Sequence, residues 1–293
     1  MTWWVIVNPA AGRHGELEPR ARAALRRTGV DYELRVSRDA GHVAALVAEG
    51  RQAGARRFAA VGGDGTAHLV VNGLMAAPWD VPPVLAILPG GSGSDFIRTF
   101  ALPKQLEAAV DHLATDEVYP CDVGVIEGSF GSRYFLNAVN VGVAAASVRI
   151  AERLPRRLGG VRYGAGFWIT LAGFPAAEIH LDVDGRAFSG PAISVVFANG
   201  QYFGGGMNVA PRATVMDGKL DIQVFSGPRR QAFTVMPRVV RGLHLNHRGV
   251  RRFEGSRFHL RCPEAWPVEA DGDMQGSGEV TGTVVPKAIE FKI

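Results

Sequence analysis

At 293 residues, 47% of them hydrophobic, the chain is long enough for two ordinary domains, each with its own core. Its net charge of +4 suits a phosphate-rich ligand or an anionic membrane surface, and no basic run interleaved with aromatics suggests nucleic acid. Cys121 and Cys262 lie far apart, Met1 to Val7 lacks the basic leader of a signal peptide, and the longest low-charge stretch, Tyr163 to Ala177, is too short to span a bilayer, so a reduced, cytoplasmic protein without a transmembrane segment is expected.

From residue 1 to about 120 the pattern alternates. Apolar Trp3 to Val7 is followed by a helical stretch from Glu16 to Arg27, then Tyr32 to Val36, a helical stretch from His42 to Ala53, and Phe58 to Val61. One more helix leads to Val84 to Leu88. Short apolar runs separated by helices predict a doubly wound, mostly parallel sheet covered on both faces, an architecture that gathers ligands at the carboxyl ends of its strands. Three glycine-rich turns fall at those ends: Asn8-Pro9-Ala10-Ala11-Gly12, Gly62-Gly63-Asp64-Gly65-Thr66, and Leu88-Pro89-Gly90-Gly91-Ser92-Gly93-Ser94-Asp95-Phe96.

After about Cys121 strand-like runs become frequent: Tyr134 to Val143, Glu178 to Val183, Ala192 to Ala198, Leu220 to Phe225, Phe258 to Arg261 and Thr281 to Val285. With helices near Ala144 to Leu154, Arg162 to Gly173 and Gln231 to Arg241, this reads as an antiparallel β domain.

Any one glycine-rich turn is commonly just a tight turn, but three in one sheet point to nucleotide chemistry. The Gly62 turn offers unhindered amides at a helix start; Asp64 there can hold a metal-bound water or a ribose hydroxyl, and Thr66 can cap the helix or touch phosphate. A P-loop with its Gly-Lys-Ser/Thr ending is missing, as are the spaced glycines of a dinucleotide fingerprint in the first strand–helix turn.

Gly62 to Thr66 followed by Leu88 to Phe96 resembles the diacylglycerol kinase catalytic family, which bacterial lipid kinases and sphingosine kinases share. The likeness continues through Asn8-Pro9 with Gly12, Ser37 followed by Gly41-His42, Asn199 with Tyr202-Phe203-Gly204-Gly205-Gly206, Ala210-Pro211, and Asp217-Gly218-Lys219-Leu220-Asp221. It ends at Val268-Glu269-Ala270-Asp271-Gly272-Asp273.

The resemblance implies an ATP-binding α/β domain over residues 1–122 and a lipid-substrate β-sandwich over 123–293, with catalysis between them and with last strands able to pack back on the first domain. It implies that Asn8, Ser37, Gly62, Gly63, Asp64, Gly65, Thr66, Ala67, His68, Gly91 and Ser92 contact ATP. It also implies a Mg²⁺ held by the Asp217 carboxylate with backbone carbonyls of Thr214 and Lys219, a set of hard oxygen ligands. Asp271 takes the role of the base that accepts the lipid hydroxyl proton during phosphoryl transfer, although Asp-Gly is by itself a good turn signal.

Four positions depart from the family pattern: Ser92 for threonine, which keeps the hydroxyl, Ser94 for asparagine, Met216 for the first of two aspartates, and Asp273 for glutamate. The expected reaction is transfer of the γ-phosphate of ATP to diacylglycerol to give phosphatidic acid. Kinases of ceramide, sphingosine or NAD, and a weak or inactive binding protein of the same fold, stay open as alternatives. The region Arg149 to Phe174, with Arg153, Arg156, Arg157 and Arg162 beside Phe167 and Trp168, is expected either to meet an anionic bilayer in peripheral contact at the inner membrane face or to be a core helix with a solvated arginine edge. Oligomeric state has no signature in the chain.

Overall fold

The computed structural model describes residues 2–12, 15–90, 94–155, 158 and 161–293. The chain divides into two compact units, Met1–Val123 with Pro286–Ile293, and Gly124–Val285.

The first unit runs β1 (Trp3–Val7), α1 (Leu17–Thr28), β2 (Tyr32–Val36), α2 (Ala40–Gln52), β3 (Arg57–Gly62), α3 (Asp64–Met75), β4 (Val84–Pro89) and α4 (Leu106–Ala109). β5 (Val118–Gly128) then carries the chain into the second unit. The strands are parallel in the order β2-β1-β3-β4, and Glu290 and Phe291 near the C-terminus add one more parallel pairing to β4. Both sheet faces are apolar, as in any sheet covered twice. On one face Trp3, Val5 and Val7 meet Ala21, Ala24 and Leu25 of α1 and Leu106 and Ala109 of α4. On the other, the Trp4 indole donates to the Leu46 carbonyl of α2 at 2.9 Å. A Cβ on Gly50 would lie 2.8 Å from that ring and 2.9 Å from Phe58, so the helix reaches the sheet this closely because the residue is glycine.

The second unit is built of β6 (Gly131–Phe135), β7 (Ala138–Gly142), α5 (Val143–Arg153), α6 (Val161–Gly173), β8 (Ala177–Val183), β9 (Arg186–Ala198), β10 (Tyr202–Phe203), β11 (Met207–Asn208) and β12 (Leu220–Ser226). It continues with α7 (Ala232–Val239), β13 (Val250–Gly255), β14 (Arg257–Arg261), β15 (Pro267–Ala270), β16 (Asp273–Ser277) and β17 (Val280–Lys292), which leaves the unit after Val285. Its pairings are antiparallel. β9 organises them: its first half pairs with β8 and its second half lies between β7 and β12. The core between the strands is apolar and aromatic, with Phe197 stacked on Phe258 at 3.8 Å between ring centroids.

The α/β fold followed by a β-sandwich-like fold agrees with the sequence reading. One predicted strand does not: Tyr134 to Val143 is broken at Leu136 and Asn137 into β6 and β7. The break has a local cause. The amides of Leu136, Asn137 and Ala138 turn to the Asp271 side chain instead of continuing a ladder.

Candidate active site

In the first unit the parallel strands deliver their ends to one side. Val7 pairs with Val36 and Val61, and Val61 with Leu88, so Asn8, Ser37, Gly62 and Pro89 follow at the same level. The Ser37 amide donates to the Val7 carbonyl at 2.9 Å, Asn8 to Val61 at 3.0 Å and Gly90 to Gly62 at 2.7 Å, which ties the four turns together. Side chains are excluded from the junction. A Cβ on Gly12 would fall 2.2 Å from the Gly90 carbonyl oxygen, one on Gly90 3.0 Å from the Gly62 Cα, and one on Gly62 2.2 Å from the Thr66 hydroxyl. Gly12 also has φ 88°, a conformation that other residues rarely adopt.

α3 starts in this junction. Gly63 is its N-cap and accepts from the Thr66 and Ala67 amides at 3.0 and 3.1 Å. The first-turn amides and the positive end of the helix dipole therefore point to the sheet end where the glycine turns meet. The Asn8 side-chain amide donates to the Thr66 hydroxyl at 3.0 Å, and its carbonyl oxygen accepts from the Ala10 amide at 3.1 Å. The Asp64 carboxylate is committed in part to the backbone: its two oxygens accept from the Asp95 amide at 3.0 and 2.9 Å, and one accepts from Phe96 at 3.4 Å. Asp64 thus fixes the loop after β4. Ser37 is buried and donates its hydroxyl to Val7, and His68 is buried one turn into α3 beside Asn72. Gly65 follows Asp64 in the first turn, while Gly91 and Ser92 lie outside the described residues.

The second unit places Asp271 in a two-residue hairpin turn. Ala270 pairs with Asp273, and Asp271 and Gly272 have φ 50° and 96°, as a hairpin turn with two left-handed residues requires. The side chain is 6% exposed and points into the chain break before β7. Its Oδ2 accepts from the Leu136 amide at 2.7 Å, and its Oδ1 accepts from Asn137 at 2.8 Å and Ala138 at 3.0 Å. Asn137 in turn receives the Asn199 and Gly200 amides on its carbonyl at 2.8 and 2.9 Å, and donates its side chain to the Tyr202 carbonyl at 2.9 Å. The buried Asn199 side chain donates to Leu136 at 2.8 Å. The Asn199 and Tyr202 segments singled out in the sequence therefore hold the loop that holds Asp271.

Asp217 sits on an exposed turn before β12, and its carboxylate accepts from the Lys219 amide at 3.0 Å. Thr214, Met216 and Lys219 are exposed on the same turn. No group of three or more His, Cys, Asp or Glu side chains is placed to hold a metal ion among the described residues, so a cation here would rest on one carboxylate, carbonyl oxygens and water. Those donors are hard oxygens and fit Mg²⁺, which keeps several waters when bound by protein.

Sequence reasoning did not single out Asn137, Asn140 and Glu269. Glu269 is buried next to the Asp271 turn; its Oε2 accepts from the Asn140 side chain at 2.6 Å and its Oε1 from the Gly272 amide. Burial pushes its carboxyl up to about 7, Asp271 and Asp273 push the same way, and the two hydrogen bonds oppose them in part. The available signal was polar residues inside apolar strand runs: Asn137 and Asn140 within Tyr134 to Val143, and Glu269 between Val268 and Ala270.

Comparison with known proteins shows the family of both parts of the chain. Residues 2–126 match the diacylglycerol kinase catalytic domain, and residues 137–292 match the YegS C-terminal NAD kinase beta sandwich-like domain. The chain is 26% identical to a diacylglycerol kinase of Bacillus subtilis (strain 168) over 283 residues, covering 93% of this chain and 89% of that one. It is 26% identical to the "Probable lipid kinase YegS" of Escherichia coli O17:K52:H18 (strain UMN026 / ExPEC) over 281 residues, covering 92% and 88%. In fold it is similar to the crystal structure of a diacylglycerol kinase from Bacillus anthracis str. Sterne, with TM-score 0.74 at 23% identity over 99% of this chain and 96% of the other. With both of its parts matched in order, the chain belongs to the lipid kinase family that joins a diacylglycerol kinase catalytic domain to a YegS C-terminal domain.

Proposed function

We propose that this protein transfers the γ-phosphoryl group of ATP to the hydroxyl of diacylglycerol, as a cytoplasmic enzyme working at a membrane surface. The carrying observation is the junction of Gly12, Gly62 and Gly90 at the start of α3, where side chains are excluded and amides gather. Backbone donors at a helix start suit a run of phosphates. We assign Asn8, Ser37, Gly62 to His68, Gly91 and Ser92 to the nucleotide, with Asp64 organising the site by holding the loop at Asp95 and Phe96.

Asp271 is assigned the acceptor side of the reaction. Three amides fix the orientation of its carboxylate, and a fixed carboxylate can take the proton of an attacking hydroxyl as the new O–P bond forms and the bond to ADP breaks. Mg²⁺ bound with ATP would supply positive charge to the phosphates, and the Asp217 carboxylate with the carbonyls of Thr214 and Lys219 would hold a second ion. Exposed Met216 in place of a further carboxylate leaves that second site with a single charged ligand.

The test is an acceptor panel: purified protein with labelled ATP and Mg²⁺ against diacylglycerol, ceramide and sphingosine in mixed micelles, with NAD in parallel. Label in phosphatidic acid supports the reading. Label in ceramide phosphate or sphingosine phosphate alone changes the substrate, and label in NADP alone, or none, overturns the reading.

A further inference from the structure

Outside the candidate site, the second unit carries an exposed aromatic pair. Trp168 of α6 and Phe233 of α7 stack at 4.8 Å between centroids with 24° between planes, yet they are 37% and 69% exposed. Single exposed apolar side chains are ordinary; a stacked pair with apolar neighbours is not. Ile169 is 57% exposed beside Trp168. Two turns before Trp168 on the same helix face lies Val161, and two turns after Phe233 lies Val240, both exposed; exposed Leu243 follows. Other residues of the two helices are used inside the unit: Leu171 and Ala232 pack in one buried cluster, and Val235 and Val239 in another. The outer apolar residues are therefore surplus to the fold.

Charge identifies what would cover them. No Asp or Glu occurs between residues 153 and 177 or between 222 and 253. The charged residues of these helices and their flanks are arginines instead: exposed Arg229, Arg230, Arg238 and Arg241 on and around α7, with Arg153 exposed on α5 and Arg162 half-buried on α6. Arg156 and Arg157 lie outside the described residues. Arg229 also donates to the Ala172 carbonyl at 3.0 Å, joining the end of α6 to the start of α7. Exposed aromatic and aliphatic side chains on segments that carry arginines and, between residues 153 and 177 and between 222 and 253, no carboxylate match the boundary of an anionic bilayer, where rings sit at the headgroup level and guanidinium groups pair with phosphate.

We propose that the outer faces of α6 and α7, centred on Trp168 and Phe233, are the surface by which the protein docks on an anionic phospholipid bilayer. The lipid-kinase reading supplies a reason for such a surface, but the surface is inferred from its own residues. Its test therefore omits ATP.

The intact protein is sedimented with vesicles of phosphatidylcholine, with and without phosphatidylglycerol, and Trp168 emission is followed with lipids brominated in the acyl chains. Expected are strong binding to the anionic vesicles only, quenching that a Trp168→Phe variant loses, and a drop in vesicle affinity of about tenfold or more for Trp168→Ala with Phe233→Ala and for Arg230→Glu with Arg241→Glu. The altered side chains are exposed, and melting curves check that the variants remain folded. Equal binding by wild type and folded variants overturns the proposal, as does equal binding to neutral and anionic vesicles. A dimer that the Trp168→Ala, Phe233→Ala variant dissolves, with no vesicle binding by wild type, assigns the face to a second copy instead. Failure here leaves the kinase assay unaffected, because binding is read without turnover.

Discussion

The backbone amide of Asn137 lies 2.8 Å from the Asp271 carboxylate, joining a chain break in one strand run to a hairpin turn more than a hundred residues later. Asp271 is at once the proposed proton acceptor and the group that shapes the loop around itself. Replacing it with alanine strands three buried donors, a loss of roughly 1–3 kcal/mol each in the worst case. Replacing it with asparagine keeps one acceptor oxygen, so Asp271→Asn is expected to lose less stability than Asp271→Ala while both lose activity. Denaturant titration of the two variants checks the ordering.

Gly62→Ala is expected to damage the nucleotide side selectively. The new methyl would lie 2.2 Å from the Thr66 hydroxyl and 2.6 Å from its Cβ, so α3 must move. Overpacking of this kind costs about 1–3 kcal/mol. The ATP KM should rise more than the lipid KM, measured by titrating each substrate at a saturating level of the other; an unchanged ATP KM counts against the phosphate role of this turn.

Glu269 gives a pH dependence of defined sign. Its carboxyl is raised from the ordinary 4.5 to about 7 in the folded protein, so between these values the unfolded chain releases a proton that the folded one keeps. Its contribution is complete below about pH 4.5, falls as pH rises to about 7, and is constant above. The total loss is on the order of 3 kcal/mol. In Glu269→Gln, Oε1 can still accept from Gly272, and the amide can donate to Asn140 once that side chain is turned over. Stability curves of the variant should lack this decline, as unfolding at several pH values would reveal.

Asp217→Ala is expected to uncouple Mg²⁺ from stability. The turn is exposed, so the substitution itself should shift unfolding by roughly half a kcal/mol or less. Added Mg²⁺ should raise the melting temperature of the wild type and leave the variant unmoved, because only a bound ion favours the folded state. Equal shifts in both proteins place the ion elsewhere.

Much of this was legible from residue pattern. The parallel strands announced themselves as apolar runs such as Trp3 to Val7, because a sheet covered on both faces needs no alternation. The glycine turns were legible because close backbone approach tolerates no other residue. What stayed hidden was set by contacts distant in sequence. Tyr134 to Val143 has a strand's composition, and only Asp271 explains why it breaks at Asn137. Glu269 stands out in the sequence only as a polar residue between Val268 and Ala270, and its partner Asn140 is brought to it by the pairing of β15 with β7. The exposed pairing of Trp168 with Phe233 depends on how two helices meet, which the aromatic content of either segment does not reveal.

The most direct measurement is transfer of labelled phosphate from ATP to diacylglycerol by wild type and by Asp271→Asn, each confirmed folded. The account expects labelled phosphatidic acid from the wild type and a rate lower by about a hundredfold or more from the variant, the scale lost when a positioned proton acceptor is removed. Equal rates from the two proteins, or label that enters NAD and no lipid, would contradict it.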